Sequence, residues 1–220
     1  PVGETAPLVI PPHSTGEVDI PLVISNVKPW SPDDPNLYTL SVEVWNAAGG
    51  NNAKNPAHLL DNRSMRVGVR TVEITEKGLV LNGSLFPEKL IGGNRHQDFA
   101  RLGNAVPNNL QWQDAVKLRK AGMRVIRSAH YPQDPAFMDA CDRLGLFVIV
   151  ATPGWQFWGK GPFADRVYDD IRQMVRRDRN HPSVMMWEPI LNETHYPADF
   201  AKKARDLVHE EYPYKGCYTA

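Results

Sequence analysis

A chain of 220 residues with 25 Lys and Arg against 25 Asp and Glu, 42% apolar residues and only 2 cysteines has the composition of a soluble globular protein. Its zero net charge provides no field to gather nucleic acid or an anionic membrane surface, so neither is expected as a partner. The longest uncharged apolar stretch, residues 144–159, contains Pro153 and two internal glycines and is shorter than the about 20 residues of a membrane-spanning helix. Cys141 and Cys217 are too few and too far apart for a disulfide framework or a metal cluster, and read as small buried hydrophobes. The chain reads as soluble, with export to a periplasmic or extracellular space left open.

Residues 1–75 alternate apolar and polar positions over 18–24, 37–45 and 67–74, the period of half-buried strands, and turn-forming clusters fill 31–36 and 47–55. The segment predicts an immunoglobulin-like β-sandwich. Four or five strands are fewer than the roughly seven of such a fold, so the sandwich is expected to lack strands at its N-terminal side.

After Asn82-Gly83, a strong hairpin signal, the period changes, and residues 76–220 alternate short apolar runs with amphipathic helices. Strands are predicted at 89–93, 124–127, 146–150, 184–187 and 216–220. One helix starts at Asp134-Pro135 and stops at Gly145, turning Phe137, Met138 and Cys141 inward. Another follows Asp165 as N-cap and lines up Val167, Ile171, Met174 and Val175. A further helix has Pro197 in its first turn and carries Phe200, Ala204, Leu207 and Val208 on one face. Five strands interleaved with four helices predict a parallel sheet, either a (β/α)8 TIM barrel or an open doubly wound sheet. The open nucleotide-binding form lacks its Gly-x-Gly-x-x-Gly signature after the first strand. Residues 89–220 amount to about half of the roughly 250 that a complete barrel takes, so the first half of a barrel is expected. A half-barrel leaves a strand edge and an apolar face uncovered, so it is expected either to self-associate or to be poorly soluble.

Parallel α/β folds collect reactive groups at the carboxyl ends of their strands. There this chain has Asn94-Arg95-His96, then Arg127-Ser128-Ala129-His130-Tyr131-Pro132, then residues 152–158 with Trp155 and Trp158, then Trp187-Glu188 and Asn192-Glu193. Aromatic plates beside hydrogen-bonding groups and a carboxylate describe a sugar site, and carboxylates there suggest glycoside hydrolysis. The Ala129-His130-Tyr131-Pro132 run suits a turn or a cis peptide. His181 is expected to pack between helix and strand, and the basic run at 176–179 to form a solvated helix end. Arg127 is expected either to face the pocket or to pair with Asp98, and Trp187 to face either the pocket or the core.

These residues carry a resemblance. Trp30 to Tyr38, Arg66 to Arg70, Leu81-Asn82-Gly83, Asn94-Arg95-His96, Arg127 to Pro132, Cys141 to Leu146, Arg177 to Ser183 and Trp187 to Glu193 together resemble glycoside hydrolase family 2, especially its β-galactosidase-like members. The resemblance implies a retaining glycosidase that cleaves terminal β-linked sugars, with an immunoglobulin-like domain ahead of a catalytic barrel. By motif, Glu193 matches the general acid/base and Asn192 the neighbour that binds the sugar 2-hydroxyl. His130 and His96 match the sugar subsite, and Arg127 the support of the nucleophile. Trp158 and Trp187 complete the expected substrate-binding set. The nucleophilic Glu of the family falls beyond Ala220, so the alternative for this chain alone is a non-catalytic carbohydrate-binding or structural piece.

Three departures qualify the match. The segment that helps many β-galactosidases bind a divalent cation is here 151–158, without carboxylate or imidazole, so neither metal nor other cofactor is expected. The loop from Trp187 to Asn192-Glu193 is one residue longer than usual and adds Glu188, which reads as a structural acceptor. Ile91 stands where Arg or Lys is common. As general acid, Glu193 is expected to have a raised pKa.

Overall fold

The computed structural model describes residues 2–46 and 57–220. The chain divides into two compact units, Pro1–Lys28 with Thr39–Met65, and Pro29–Tyr38 with Arg66–Ala220.

In the first unit, β1 (Tyr38–Trp45) pairs with β2 (Leu59–Val67), and the hydroxyls of Ser41 and Ser64 meet across them at 2.8 Å. Strand β2 reads LLDNRSMRV and has no period-two pattern to announce it. The predicted strand at 18–24 is irregular chain. Pro21 removes a ladder donor from its middle, and Val18 and Val23 stay exposed. The turn cluster expected at 47–55 lies outside the described residues.

The strand predicted over 67–74 breaks in two. Residues 68–71 leave the ladder because Val69 O accepts Trp30 N at 2.8 Å, while the Arg70 guanidinium donates to the carbonyls of Pro182 and Val184. In the second unit, β3 (Val72–Thr75), β4 (Gly78–Leu81) and β5 (Ser84–Leu85) then form an antiparallel sheet that turns at Asn82-Gly83.

The rest of that unit is a four-stranded parallel sheet in the order β6 (Gly92–Arg95), β7 (Val125–Ser128), β8 (Phe147–Ala151), β9 (Val184–Glu188). Its helices are α1 (Asn108–Lys120), α2 (Pro135–Leu144), α3 (Phe163–Asp178) and α4 (Ala198–Glu211). Residues 216–220 extend the sheet only by a parallel bridge from Trp187 to Thr219, with Ala220 N donating to Trp187 O at 2.8 Å. The first strand of this sheet starts at Gly92, later than its apolar run, and lies close against β7: a Cβ on Gly92 would meet Val125 O at 1.7 Å.

Helix α2 has the predicted ends, with Asp134 accepting Ala136 N at 2.7 Å and Gly145 closing it at φ 69°. Helix α3 starts two residues before Asp165, at Phe163, so Asp165 is a first-turn charge that favours the helix dipole rather than the cap. Pro197 is the N-cap of α4 instead of a first-turn residue.

Side chains alternate across β8. Val148 and Val150 join Phe137, Ile171 and Phe200 in the core beneath the helices. Phe147 joins Trp30, Val72, Leu81 and Met185 in a second core, with Trp30 and Phe147 edge to face at 5.5 Å. Cys141 and Cys217 are both buried, and burial pushes the Cys217 thiol up to about 11. Among the described residues no helix is long and apolar enough to cross a membrane.

Candidate active site

Parallel register sets neighbouring residues on one face of the sheet. Asn94 lies beside Arg127, Arg127 beside Ile149, Ile149 beside Met186, and one step further up the face Ala151 lies beside Glu188. The same face at the carboxyl ends therefore carries Asn94, Arg127 and Glu188.

The Arg127 guanidinium holds the Glu188 carboxylate with two donors, Nε at 2.7 Å to Oε2 and Nη2 to Oε1. Nη2 also donates to Asn192 Oδ1 at 3.0 Å, and Nη1 to Asn94 Oδ1 at 3.4 Å. Arg127 thus pairs with Glu188, and Asp98 stays exposed. Glu188 is buried at 5% exposure, which explains why its charge needs this fork.

Asn192 passes the network on. Its Nδ2 faces His130 Nε2 at 3.5 Å, and the His130 ring stands edge-on to His96 at 5.6 Å and tilted over Trp155 at 5.6 Å. The peptide before His130 is cis. Burial, then the charges of Arg127 and His96, hold the His130 imidazole below its ordinary pKa, favouring a neutral ring. Its buried Nδ1 has no partner among the described residues.

Glu193 follows Asn192 with φ 50°, and its side chain meets the loop after β8. Trp155 Nε1 and Gln156 Nε2 each donate to Glu193 Oε2 at 3.0 Å. These bonds hold its carboxyl below the usual carboxylate range. The raised pKa expected for a general acid is therefore not a property of this chain, in which Glu193 is exposed and two N–H groups stabilise its charged form.

Arg127, His130, His96, Asn192 and Glu193 come together as one cluster; Trp158 and Trp187 do not join it. Trp187 alternates with Glu188 and so points to the other side of the sheet, buried in the helix-side core near Tyr212. Trp158 packs edge-on against Phe163 and Phe200. Sequence reasoning missed two partnerships, that of Glu188 with Arg127 and that of Trp155 and Gln156 with Glu193. The first had a signal in two opposite charges at strand ends; the second depends on loop conformation and had none.

Asp139, Asp142 and His181 also lie close together, with ligand atoms within 4.8 Å of one another. Asp142 is already committed: Oδ2 meets His181 Nδ1 at 2.6 Å and Oδ1 accepts Ser183 N at 3.0 Å. This is a tie between α2 and the turn before β9, in line with His181 as a packing residue.

Comparison with known proteins gives the site a context. Residues 72–209 match the TIM barrel domain of glycosyl hydrolases family 2, and residues 4–70 match another domain of glycosyl hydrolases family 2. A β-galactosidase of Thermoanaerobacter pseudethanolicus is 38% identical over 189 residues, covering 85% of this chain and 24% of that protein. A β-glycosidase structure from Bacteroides vulgatus superimposes with a TM-score of 0.72 at 30% identity, over 87% of this chain and 24% of that one. A β-galacturonidase from Eisenbergiella tayi bound to galacturonate superimposes with a TM-score of 0.75 at 27% identity, over 92% and 35%. The chain spans about a quarter of the length of the curated relatives it matches.

Proposed function

The chain belongs to glycosyl hydrolases family 2, and on that premise we propose that it supplies the acid/base half of a retaining β-glycosidase site, of β-galactosidase type, on the first half of a (β/α)8 barrel behind an immunoglobulin-like domain. One observation carries the reading. Glu193 stands exposed at the strand ends beside Asn192, which Arg127 fixes, with His130 and His96 lining the same edge.

In this mechanism a nucleophilic Glu from residues beyond Ala220 attacks the anomeric carbon while Glu193 gives its proton to the departing oxygen. Glu193 then takes a proton from the water that breaks the glycosyl-enzyme bond. Retention needs the two carboxyl groups about 5–5.5 Å apart. Glu188 is unsuited to the acid role, because both of its oxygens accept from Arg127. Asn192, oriented by Arg127, keeps its amide N–H groups toward His130 and the open edge where a sugar hydroxyl would lie. For Glu193 to hold a proton, its carboxyl must rise from where the two donors hold it. The like charge of the nucleophile and the dry contact of a bound sugar both act in that direction.

The family's divalent cation does not fit this loop. Residues 151–158 offer neither carboxylate nor imidazole beside Glu193, and the two side chains that do reach it, Trp155 and Gln156, present N–H donors, the indole having no lone pair for a metal. No step therefore passes through a metal.

The test is Glu193→Gln in the full-length enzyme. Turnover of substrates with poor leaving groups is expected to vanish while activated aryl glycosides are still cleaved; normal cleavage of both refutes the assignment. A second reading applies to the 220 residues alone. With Glu188 committed to Arg127, the cluster offers no nucleophile, so the isolated chain is expected to bind carbohydrate or support the fold without turning over an aryl β-galactoside.

A further inference from the structure

The loops after β8 and β9 are joined at Asn192. Trp155 pairs with Asn192 in a parallel bridge, and Gln156 N donates to Asn192 O at 3.1 Å. Gly154 makes the approach possible: it has φ 133°, and a Cβ there would meet Leu191 Cδ2 at 2.5 Å. This backbone junction aims two side-chain donors, Trp155 Nε1 and Gln156 Nε2, at one and the same oxygen, Glu193 Oε2, each at 3.0 Å. The Trp155 ring is itself braced by His130, 5.6 Å between ring centres. Glu193 Oε1 has no partner among the described residues.

Building on the acid/base reading of Glu193, we propose that Trp155 and Gln156 are positioning residues that clamp Oε2 and leave Oε1 as the oxygen that exchanges the proton with the leaving group. An oxygen that already accepts two N–H donors is the less basic of a carboxyl pair, so the proton resides on the other one. The clamp also fixes the carboxyl rotation, so that Oε1 keeps one direction into the open edge of the sheet. The groups that act on Glu193 are Trp155 and Gln156 from the β8 loop, whose hydrogen bonds favour the ionised form most, burial, which opposes it, and Arg127 on β7 together with His130, whose charge contributes only when its ring is protonated. The clamp thus sets orientation and acidity together, and these two effects separate in a pH profile.

The experiment compares Trp155→Phe, Gln156→Met and the double variant in the full-length enzyme, with phenyl and 2,4-dinitrophenyl β-galactosides as substrates. In kcat/KM for the phenyl substrate, the basic limb that reports the protonated acid is expected to move up by about half to one pH unit in each single variant and further in the double. The plateau for that substrate is expected to fall roughly tenfold through lost orientation, while the activated substrate, which needs no acid, stays within about threefold. A double variant with a native circular dichroism spectrum and an unmoved basic limb overturns the proposal. If the tryptophan variants fail to fold, the exposed Gln156→Met variant decides by the same criterion. Failure of the acid/base reading has a different signature, since Glu193→Gln would then cleave the phenyl substrate at the native rate whatever the Trp155 and Gln156 variants do.

Discussion

Arg127 binds Glu188 with a two-donor fork and reaches Asn192 with the same Nη2, so one guanidinium couples the end of β9 to the loop that carries Glu193. The pair is asymmetric, with Glu188 almost fully buried and Arg127 a quarter exposed. Removing the arginine strands a buried carboxylate, whereas removing both partners leaves no buried charge unpaired and costs only the weaker bonds to the Asn192 and Asn94 amides. Arg127→Met is therefore expected to cost about 3–5 kcal/mol of stability, and Arg127→Met with Glu188→Met to recover most of it. Urea unfolding midpoints measure both. If the double variant is as unstable as the single, the burial of Glu188 is not what Arg127 offsets.

The His181 to Asp142 tie makes a prediction about pH. Burial disfavours the charged imidazole, but the hydrogen bond that His181 Nδ1 donates to Asp142 and the charges of Asp142, Asp178 and Asp139 outweigh it, and the pKa is raised. A group with a folded pKa above its unfolded value adds stability that is fully present below the unfolded value, about 6.5 for histidine, and is lost as pH rises through the folded pKa. His181→Gln should therefore destabilise the chain more at pH 5.5 than at pH 9. Unfolding midpoints for both proteins across that range would converge on the alkaline side. A constant gap would mean that His181 acts by packing alone.

Much of the second unit was legible because its physics is local. Asp134-Pro135 and Gly145 state where α2 begins and ends, and the apolar faces of α3 and α4 repeat at the helical period. The first unit was harder to read. Strand β2 is mostly polar, and a run that alternates well, 18–24, contains Pro21 and forms no strand. At the site, Glu193, Asn192, Arg127 and His130 were singled out by their position at strand ends and by the family resemblance. The direction in which each points depends on pairing between chain segments far apart in sequence: Trp187 turns inward by alternation from Glu188, and Trp155 meets Glu193 across 38 positions. No period within one segment encodes such a meeting.

Two glycines separate backbone strain from collision. Both Gly122 and Gly145 follow a helix and adopt the left-handed region, with φ 87° and 69°. A Cβ on Gly122 has nothing within 4 Å, whereas a Cβ on Gly145 would lie 1.9 Å from Pro32 O and 2.7 Å from Pro32 Cα. Gly122→Ala carries the left-handed penalty alone, about 1–2 kcal/mol. Gly145→Ala carries the same penalty and must also push back the main chain at Pro32, which Arg119 Nη2 holds by its carbonyl at 3.1 Å. Its expected cost is about 3 kcal/mol or more, since overpacking against fixed backbone adds roughly 1–3 kcal/mol. Differential scanning calorimetry of the two variants measures the difference. Equal melting temperatures would mean that the segment around Pro32 yields freely, and that the contact between α2 and Pro32 adds nothing to the stability of this unit.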